Sequence, residues 1–181
     1  MFFRIAIIYF LSSCFLLKGI CQNYTTKTGF IGFYSKTPLE DIQAENNQVY
    51  AILDPVSHHI AFALLLKGFI FPKELMQVHF NENYVESDKY PKATFAGSCS
   101  GDMDLTKDGT YQVVIKGSLN LHGVTKNLET TALLEVKKDQ IQGTSSFKLK
   151  PEDFQIQIPG IVRDKIERDI SVRVRITWSR T

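Results

Sequence analysis

The clearest pattern in the chain lies near its end. Ile170, Val172, Val174, Ile176 and Trp178 alternate with Ser171, Arg173, Arg175, Thr177 and Ser179, as in a strand with one face on a core and the other in water. The nine residues Ile170–Trp178, at about 3.3 Å each, make roughly 30 Å, long for a sandwich and natural for a barrel wall. The same period recurs upstream, broken by turn signals about every ten residues. Tyr111, Val113, Ile115, Gly117, Leu119 and Leu121 share one face; Leu128, Ala132, Leu134 and Val136 share another; Gln140–Leu149 forms a further strand. Turns are predicted at Lys107-Asp108-Gly109, where glycine can take a positive φ, at His122-Gly123 and at Lys138-Asp139.

The first half is less regular. Thr28–Ser35 carries Ile31, Phe33 and Ser35 on one face and is stopped by Pro38. Gln48–Leu53 is a second strand; Leu39–Ala44 is too short to assign, with Ile42 placed to plug a barrel end. His58–Leu66 puts Ile60, Phe62, Leu64 and Leu66 on one side and His59, Ala61, Ala63 and Leu65 on the other. Two apolar faces suggest a strand covered outside as well as inside, as by a second copy of the chain. Gly68 is expected to mark a bulge, and Thr94–Leu105 is the next strand. About eight strands result, the number at which a barrel either fills itself with side chains or holds one small ligand. The fold class expected is all-β, an eight-stranded antiparallel barrel.

One stretch interrupts the strands. In Glu74–Gly97, Leu75, Met76 and Phe80 fall on one face of a short helix. Asn81, Asn83, Ser87 and Asp88 follow with turn chemistry, and Tyr90-Pro91 forces an extended lead into the next strand. This reads as a short helical lid over one end of the barrel. After Pro159-Gly160, Val162 and Ile166 suit a last short helix.

The N-terminus changes the picture of charge and compartment. Residues 1–21 read as a secretory signal peptide, with Arg4 before the apolar run Ile5–Leu17 and cleavage expected before Gln22. The domain is then 22–181, and the expected location is periplasmic or secreted. Leu11-Ser12-Ser13-Cys14 resembles a lipoprotein processing box that would lipidate Cys14, but Phe15-Leu16-Leu17 has the wrong polarity for an exposed tether. The signal holds Arg4 and Lys18 and no acid, so its removal leaves 19 basic residues against 19 acidic ones. A near-neutral chain without a basic patch argues against nucleic acid as a partner. Cys99 is the only cysteine beyond the signal; it is expected to be a small buried residue.

Four ordered stretches carry a resemblance: NENYVESDKYPKATF within the lid, GSLNLHGVTK at Gly117–Lys126, EDFQIQIPGIVRDKI at Glu152–Ile166 and, less sharply, GFIGFYSKTPLEDIQA at Gly29–Ala44. Together they resemble the YceI-like family of bacterial, lipocalin-like lipid-binding proteins. On the residues alone, an open lumen and a filled one are equally compatible with the small positions Gly97, Gly117, Ala132, Gly143 and Ser145. The resemblance implies the open one, carrying a long apolar molecule such as a polyisoprenoid, an isoprenoid quinone or a fatty-acid derivative. The expected lining is Phe33, Phe62, Leu64, Phe95, Ile115, Leu119, Phe147 and Trp178, with Phe69, Phe71, Met76 and Phe80 closing or gating one end.

The remaining constellations point away from catalysis. His58 and His59 are adjacent on a strand and face opposite ways, so no metal site is expected. His79 beside Glu82 could stop a ligand head group; His122 reads as a turn residue. Glu82, Glu86 and Asp88 read as a solvated acidic loop. No nucleophile elbow or nucleotide fingerprint is present. Arg173 and Arg175 are expected in water with cross-strand acidic partners. The expectation is a binding protein, not an enzyme, with no cofactor and a lipid as ligand. Transient membrane contact and a homodimer complete the partner expectations. The alternative is a filled structural or partner-binding barrel, docking through Ala61, Ala63 and Leu65.

Overall fold

The computed structural model describes residues 23–36, 41–158, 166 and 168–181. The expected signal segment, Pro38 with its neighbours, and the expected helix start around Pro159-Gly160 and Val162 lie outside the described residues. Eight strands form one closed barrel: β1 (Tyr24–Lys36), β2 (Asp41–Leu53), β3 (His59–Leu65), β4 (Lys92–Ser100), β5 (Gly109–Leu121), β6 (Val124–Lys137), β7 (Gln140–Leu149) and β8 (Ile170–Arg180). Each pairs antiparallel with the next, and β8 returns to β1 through pairs such as Phe33↔Val172. The helix α1 (Glu74–His79) lies between β3 and β4. Among the described residues, no helix is long and apolar enough to cross a membrane.

Alternation along the strands decides which side chains go inside, and the barrel interior divides into two halves. In the half away from the lid, Trp178, Ile176, Leu134, Ile141, Val113, Leu53 and Tyr24 are almost completely buried. Here the small inward positions serve their large neighbours. A Cβ on Gly143 would come within 2.7 Å of the Trp178 ring, and one on Gly117 within 2.6 Å of the Phe95 ring. Space left by these glycines is therefore occupied by aromatic rings, and it adds nothing to the lumen.

Turn chemistry fixes the hairpins. His122 and Gly123 have φ of 53° and 74°, the two positive values that a two-residue turn needs to match strand twist. They close β5 onto β6 in a register that runs unbroken from Leu121↔Val124 to Gly109↔Val136. Before β5 the positive φ falls at Gly101 and not at Gly109, because β4 stops at Ser100, short of the expected Leu105. A polar turn takes over there, in which the Asp104 carboxylate accepts from Thr106 N (3.0 Å) and lies 2.8 Å from Lys107 Nζ.

The lid begins differently from expectation. Gly68 ends a single 3₁₀ turn, Leu66–Gly68, and is not a strand bulge. The reason is Asn46, wholly buried, whose Nδ2 donates to the Leu65 carbonyl at 3.0 Å and lies where a Cβ on residue 68 would fall. Glu45 and Ile70 then exchange backbone hydrogen bonds of 3.1 and 2.8 Å. Both contacts come from a part of β2 that precedes its expected start at Gln48, for the strand begins at Asp41, seven residues earlier. Next comes α1, with Glu74 in its first turn, favourable to the helix dipole. A π-helical turn, Phe80–Tyr84, continues it, marked by Val85 N donating to Phe80 O at 2.9 Å.

One seam interrupts the closed wall. Pairing between β6 and β7 runs from Lys137↔Gln140 to Ala132↔Ser145 and stops. At that point Ser145 Oγ donates to the Thr131 carbonyl at 2.7 Å and meets Thr130 Oγ1 at 3.2 Å. Side-chain hydroxyls thus satisfy groups that the ladder abandons. Beyond the stitch, the 3₁₀ turn Pro151–Phe154 packs on β6 with Pro151 and Phe154 buried.

Candidate functional site

A chamber of about 600 Å³ occupies the lid half of the barrel, within the range of about 300–1,000 Å³ typical of small-molecule sites. Ile31 and Phe33 of β1, Ile42 of β2, Leu64 of β3, Leu119 and Leu121 of β5, Phe147 and Leu149 of β7, and Val172 and Val174 of β8 form its walls. Met76, Phe80, Tyr84 and Val85 come from the lid. Along the seam, Pro151, Ile156 and Ile158 supply wall where β6 supplies none among the described residues.

Of the residues expected to line the lumen, Phe33, Leu64, Phe69, Phe71, Met76, Phe80, Leu119 and Phe147 meet around this chamber. Phe33, Phe69, Phe71 and Phe80 form a compact aromatic group under the lid, with ring centroids from 5.1 to 5.8 Å apart. Such spacings favour tilted and edge contacts. Phe62, Phe95, Ile115 and Trp178 stand elsewhere, as a correction to the expected single lumen. Phe62 packs 6.0 Å from Phe95 and 6.1 Å from Trp178, and these residues help to fill the half away from the lid. Alternation placed all four inward; it carries no information about depth along the barrel axis. Ile42 does line the chamber, as does Ile166.

Several contributors went unrecognised. Leu66, Ile170, Val172 and Val174 follow from continuing the inward alternation toward the lid end. Pro151, Ile156 and Ile158 carry no periodic signal, because they lie in and after a 3₁₀ turn.

His122 does more than turn the chain. Its ring is nearly buried, with Nε2 2.9 Å from Glu86 Oε2 and Nδ1 3.0 Å from the Phe154 carbonyl. Tyr90 packs against it at 4.5 Å between centroids. Glu86 ends the lid and Phe154 ends the seam turn, so one imidazole ties both to the β5–β6 hairpin. The lid is also held by Leu66 N donating to Pro91 O at 2.9 Å and by the exposed Lys67–Asp88 pair at 2.6 Å, the latter contributing at most about 1 kcal/mol.

Among the described residues no group of three His, Cys, Asp or Glu could hold a metal. Cys99 is buried, and burial pushes its thiol above the usual range, away from a thiolate. His79 Nδ1 lies 3.3 Å from Asn83 Oδ1, and no bond joins it to Glu82. Arg173 and Arg175 lie over the rings of Tyr34 and Phe30, at 4.5 and 4.8 Å. Aromatic faces take the place of the expected acidic partners.

Several solved structures share this architecture. A polyisoprenoid binding domain from Saccharophagus degradans, implicated in plant cell wall breakdown, superposes with a TM-score of 0.74 at 14% identity, covering 88% of this chain and 98% of that one. BcnA from Burkholderia cenocepacia gives 0.70 at 10% identity, covering 82% and 95%. The YCEI protein of Campylobacter jejuni gives 0.63 at 15% identity, covering 78% and 86%. At these identities the likeness concerns the fold. No curated protein matches the sequence. The family model of the YceI-like domain matches residues 31–178, nearly the whole barrel from the middle of β1 to Trp178, and the chain belongs to that family.

Proposed function

We propose that this protein is an exported carrier that sequesters a long apolar or amphiphilic lipid, by non-covalent binding alone. The observation that carries the reading is the apolar chamber of about 600 Å³ under the lid, walled by side chains from seven strands and capped by four phenyl rings. Burial of a chain there contributes roughly 0.8 kcal/mol per methylene. Micromolar affinity, about −8 kcal/mol, therefore needs only a modest length of tail. The likeness in fold to a polyisoprenoid binding domain supports a prenyl or fatty tail as the cargo. Export rests on the signal-like residues 1–21.

Leu75 and Ile70, 67% and 62% exposed beside the chamber, support brief contact with a membrane during loading. A second reading, a partner-binding barrel or homodimer, draws on the outer face of β3. There Ala61 and Leu65 are exposed next to Tyr50.

The test is solvent extraction and mass spectrometry of protein purified from its native source, with sizing of the same sample. The carrier reading expects a stoichiometric prenyl or fatty species. Lipid-free protein that takes up no labelled prenyl or fatty chain would overturn it, and a lipid-free dimer would favour the second reading.

A further inference from the structure

The strand order gathers charge that the sequence disperses. β7, β8 and β1 are neighbours in the barrel, and none of the three contains an Asp or Glu. Two of their cations meet acids from elsewhere: Lys36 stands opposite Asp41, and Arg180 lies 3.5 Å from Asp139. Lys148, Arg173 and Arg175 are exposed and make no ion pair among the described residues. Register sets these three side by side. Arg173 pairs with Ser146 and Arg175 with Thr144, and Lys148 is the next outward position of β7. Both guanidinium groups lie on aromatic rings, Arg173 over Tyr34 at 4.5 Å and Arg175 over Phe30 at 4.8 Å. A guanidinium stacked in this way keeps its N–H edges for an anionic acceptor and loses little freedom on meeting one. An open groove of about 680 Å³ runs along them, lined also by Thr144, Ser146 and Leu133, the last 40% exposed. Its one carboxylate among the described lining residues, Glu45, is engaged, accepting from the Tyr34 hydroxyl at 3.2 Å and from Gln43 Nε2 at 2.9 Å.

The same face reaches the lid. Ile70, exposed, bridges to Glu45; Glu45 pairs with Gly32, and Gly32 with Arg173. Three strand spacings of about 4.8 Å put roughly 14 Å between Ile70 and Arg173, so one flat surface can touch both. Cations set among aromatic rings and flanked by exposed aliphatic side chains fit an interface where phosphate lies above acyl chains. A soluble acidic partner would use the charges and leave Ile70 and Leu133 without a role. We infer that the β7–β8–β1 face docks the protein on membranes that contain anionic phospholipid. Arg173, Arg175 and Lys148 meet the phosphates, and Ile70 enters beside them, which brings the lid end of the chamber to the bilayer. The inference rests on the carrier reading and supplies the surface from which cargo is taken.

Vesicle co-sedimentation tests this on protein purified from its native source. Vesicles of phosphatidylcholine alone are compared with vesicles that also hold about 30% phosphatidylglycerol. Partition onto the anionic vesicles is expected to be at least about tenfold greater, and to fall as salt is raised. Arg173→Gln with Arg175→Gln should lower it by about tenfold or more, and Arg173→Lys with Arg175→Lys should retain most of it. Lys116→Gln with Lys137→Gln removes the same charge from ion pairs elsewhere on the barrel and should leave partition unchanged. Uptake of a labelled prenyl chain from solution, read on the same samples, is expected to be equal in all of them. Equal partition onto both kinds of vesicle, or equal loss in the two glutamine variants, with uptake intact, would overturn the docking face and leave lipid carriage standing. Binding to soluble dextran sulfate without binding to vesicles would overturn it in favour of a soluble acidic partner. Absence of both vesicle binding and uptake in the unaltered protein would overturn both readings.

Discussion

His122 Nε2 lies 2.9 Å from Glu86 Oε2, and this contact joins the lid to the β5–β6 hairpin. The same ring reaches the Phe154 carbonyl at 3.0 Å, so lid, hairpin and seam turn meet at one side chain. His122, Glu86 and Gln155 all take left-handed φ, at 53°, 44° and 56°. Non-glycine residues accept that conformation at a cost. The histidine and one such residue in each of the two segments it joins show that the surrounding contacts hold the backbone there.

Replacing this histidine should loosen two covers at once. His122→Ala removes both bonds and leaves the Phe154 carbonyl and the Glu86 carboxylate without this partner, at a cost of about 1–3 kcal/mol. Hydrogen exchange should accelerate at the amides of Val85, Ser87 and Ile156, while the amides of β5 paired near Val113 stay protected. Uniform acceleration across the barrel would mean that the ring supports the fold as a whole and does not serve as a local latch.

Asn46 is the other polar group on which the lid depends. Its amide donates to the Leu65 carbonyl and its Oδ1 accepts from Gln48 N at 2.8 Å. Asn46→Leu should destabilise the chain by about 1–3 kcal/mol, because two backbone groups lose their partner. Urea denaturation measures the loss. The same substitution at exposed Asn47 is expected to change stability by less than about 0.5 kcal/mol.

Acid should weaken the β4–β5 turn through Asp104. The Lys107 side chain, then the Thr106 hydroxyl and amide, hold its carboxyl at about 2, below the ordinary 3.8. A carboxyl depressed in the folded state contributes stability above its unfolded value, and that contribution is lost as pH falls. The window here is from about pH 4 down to about pH 2. Denaturation curves at several pH values should show Asp104→Asn with a shallower decline than the unaltered chain across that window. The difference will be small, since the group is in solvent. Parallel declines would remove Asp104 from the account of acid sensitivity.

The barrel was legible in the sequence because one face of nearly every strand must be apolar and the other wet. β7 was expected at Gln140–Leu149 and lies there, because Lys138-Asp139 and Lys150-Pro151 punctuate it on both sides. The start of β2 was not legible. Asp41–Gln48 is mostly polar on paper, and its pairing with β1 is imposed by the neighbouring strand and by the Glu45–Ile70 bonds. Depth was the other gap. Phe33 and Phe62 have the same inward pattern, yet one walls the chamber and the other packs against Trp178. Only register, which places residues along the axis, separates them. The double role of His122 was hidden for a similar reason, because Glu86 and Phe154 are 36 and 32 residues away in the chain.

The most direct test is where a bound tail lies. With a ¹³C-labelled prenyl or fatty chain bound to the protein, isotope-filtered nuclear Overhauser spectra report which side chains it touches. The account predicts contacts from the tail to Phe33, Phe80, Leu119 and Phe147, with none to Trp178 or to the outer face at Ala61 and Leu65. Contacts confined to that outer face, with the Phe33 and Phe80 signals undisturbed, would contradict it.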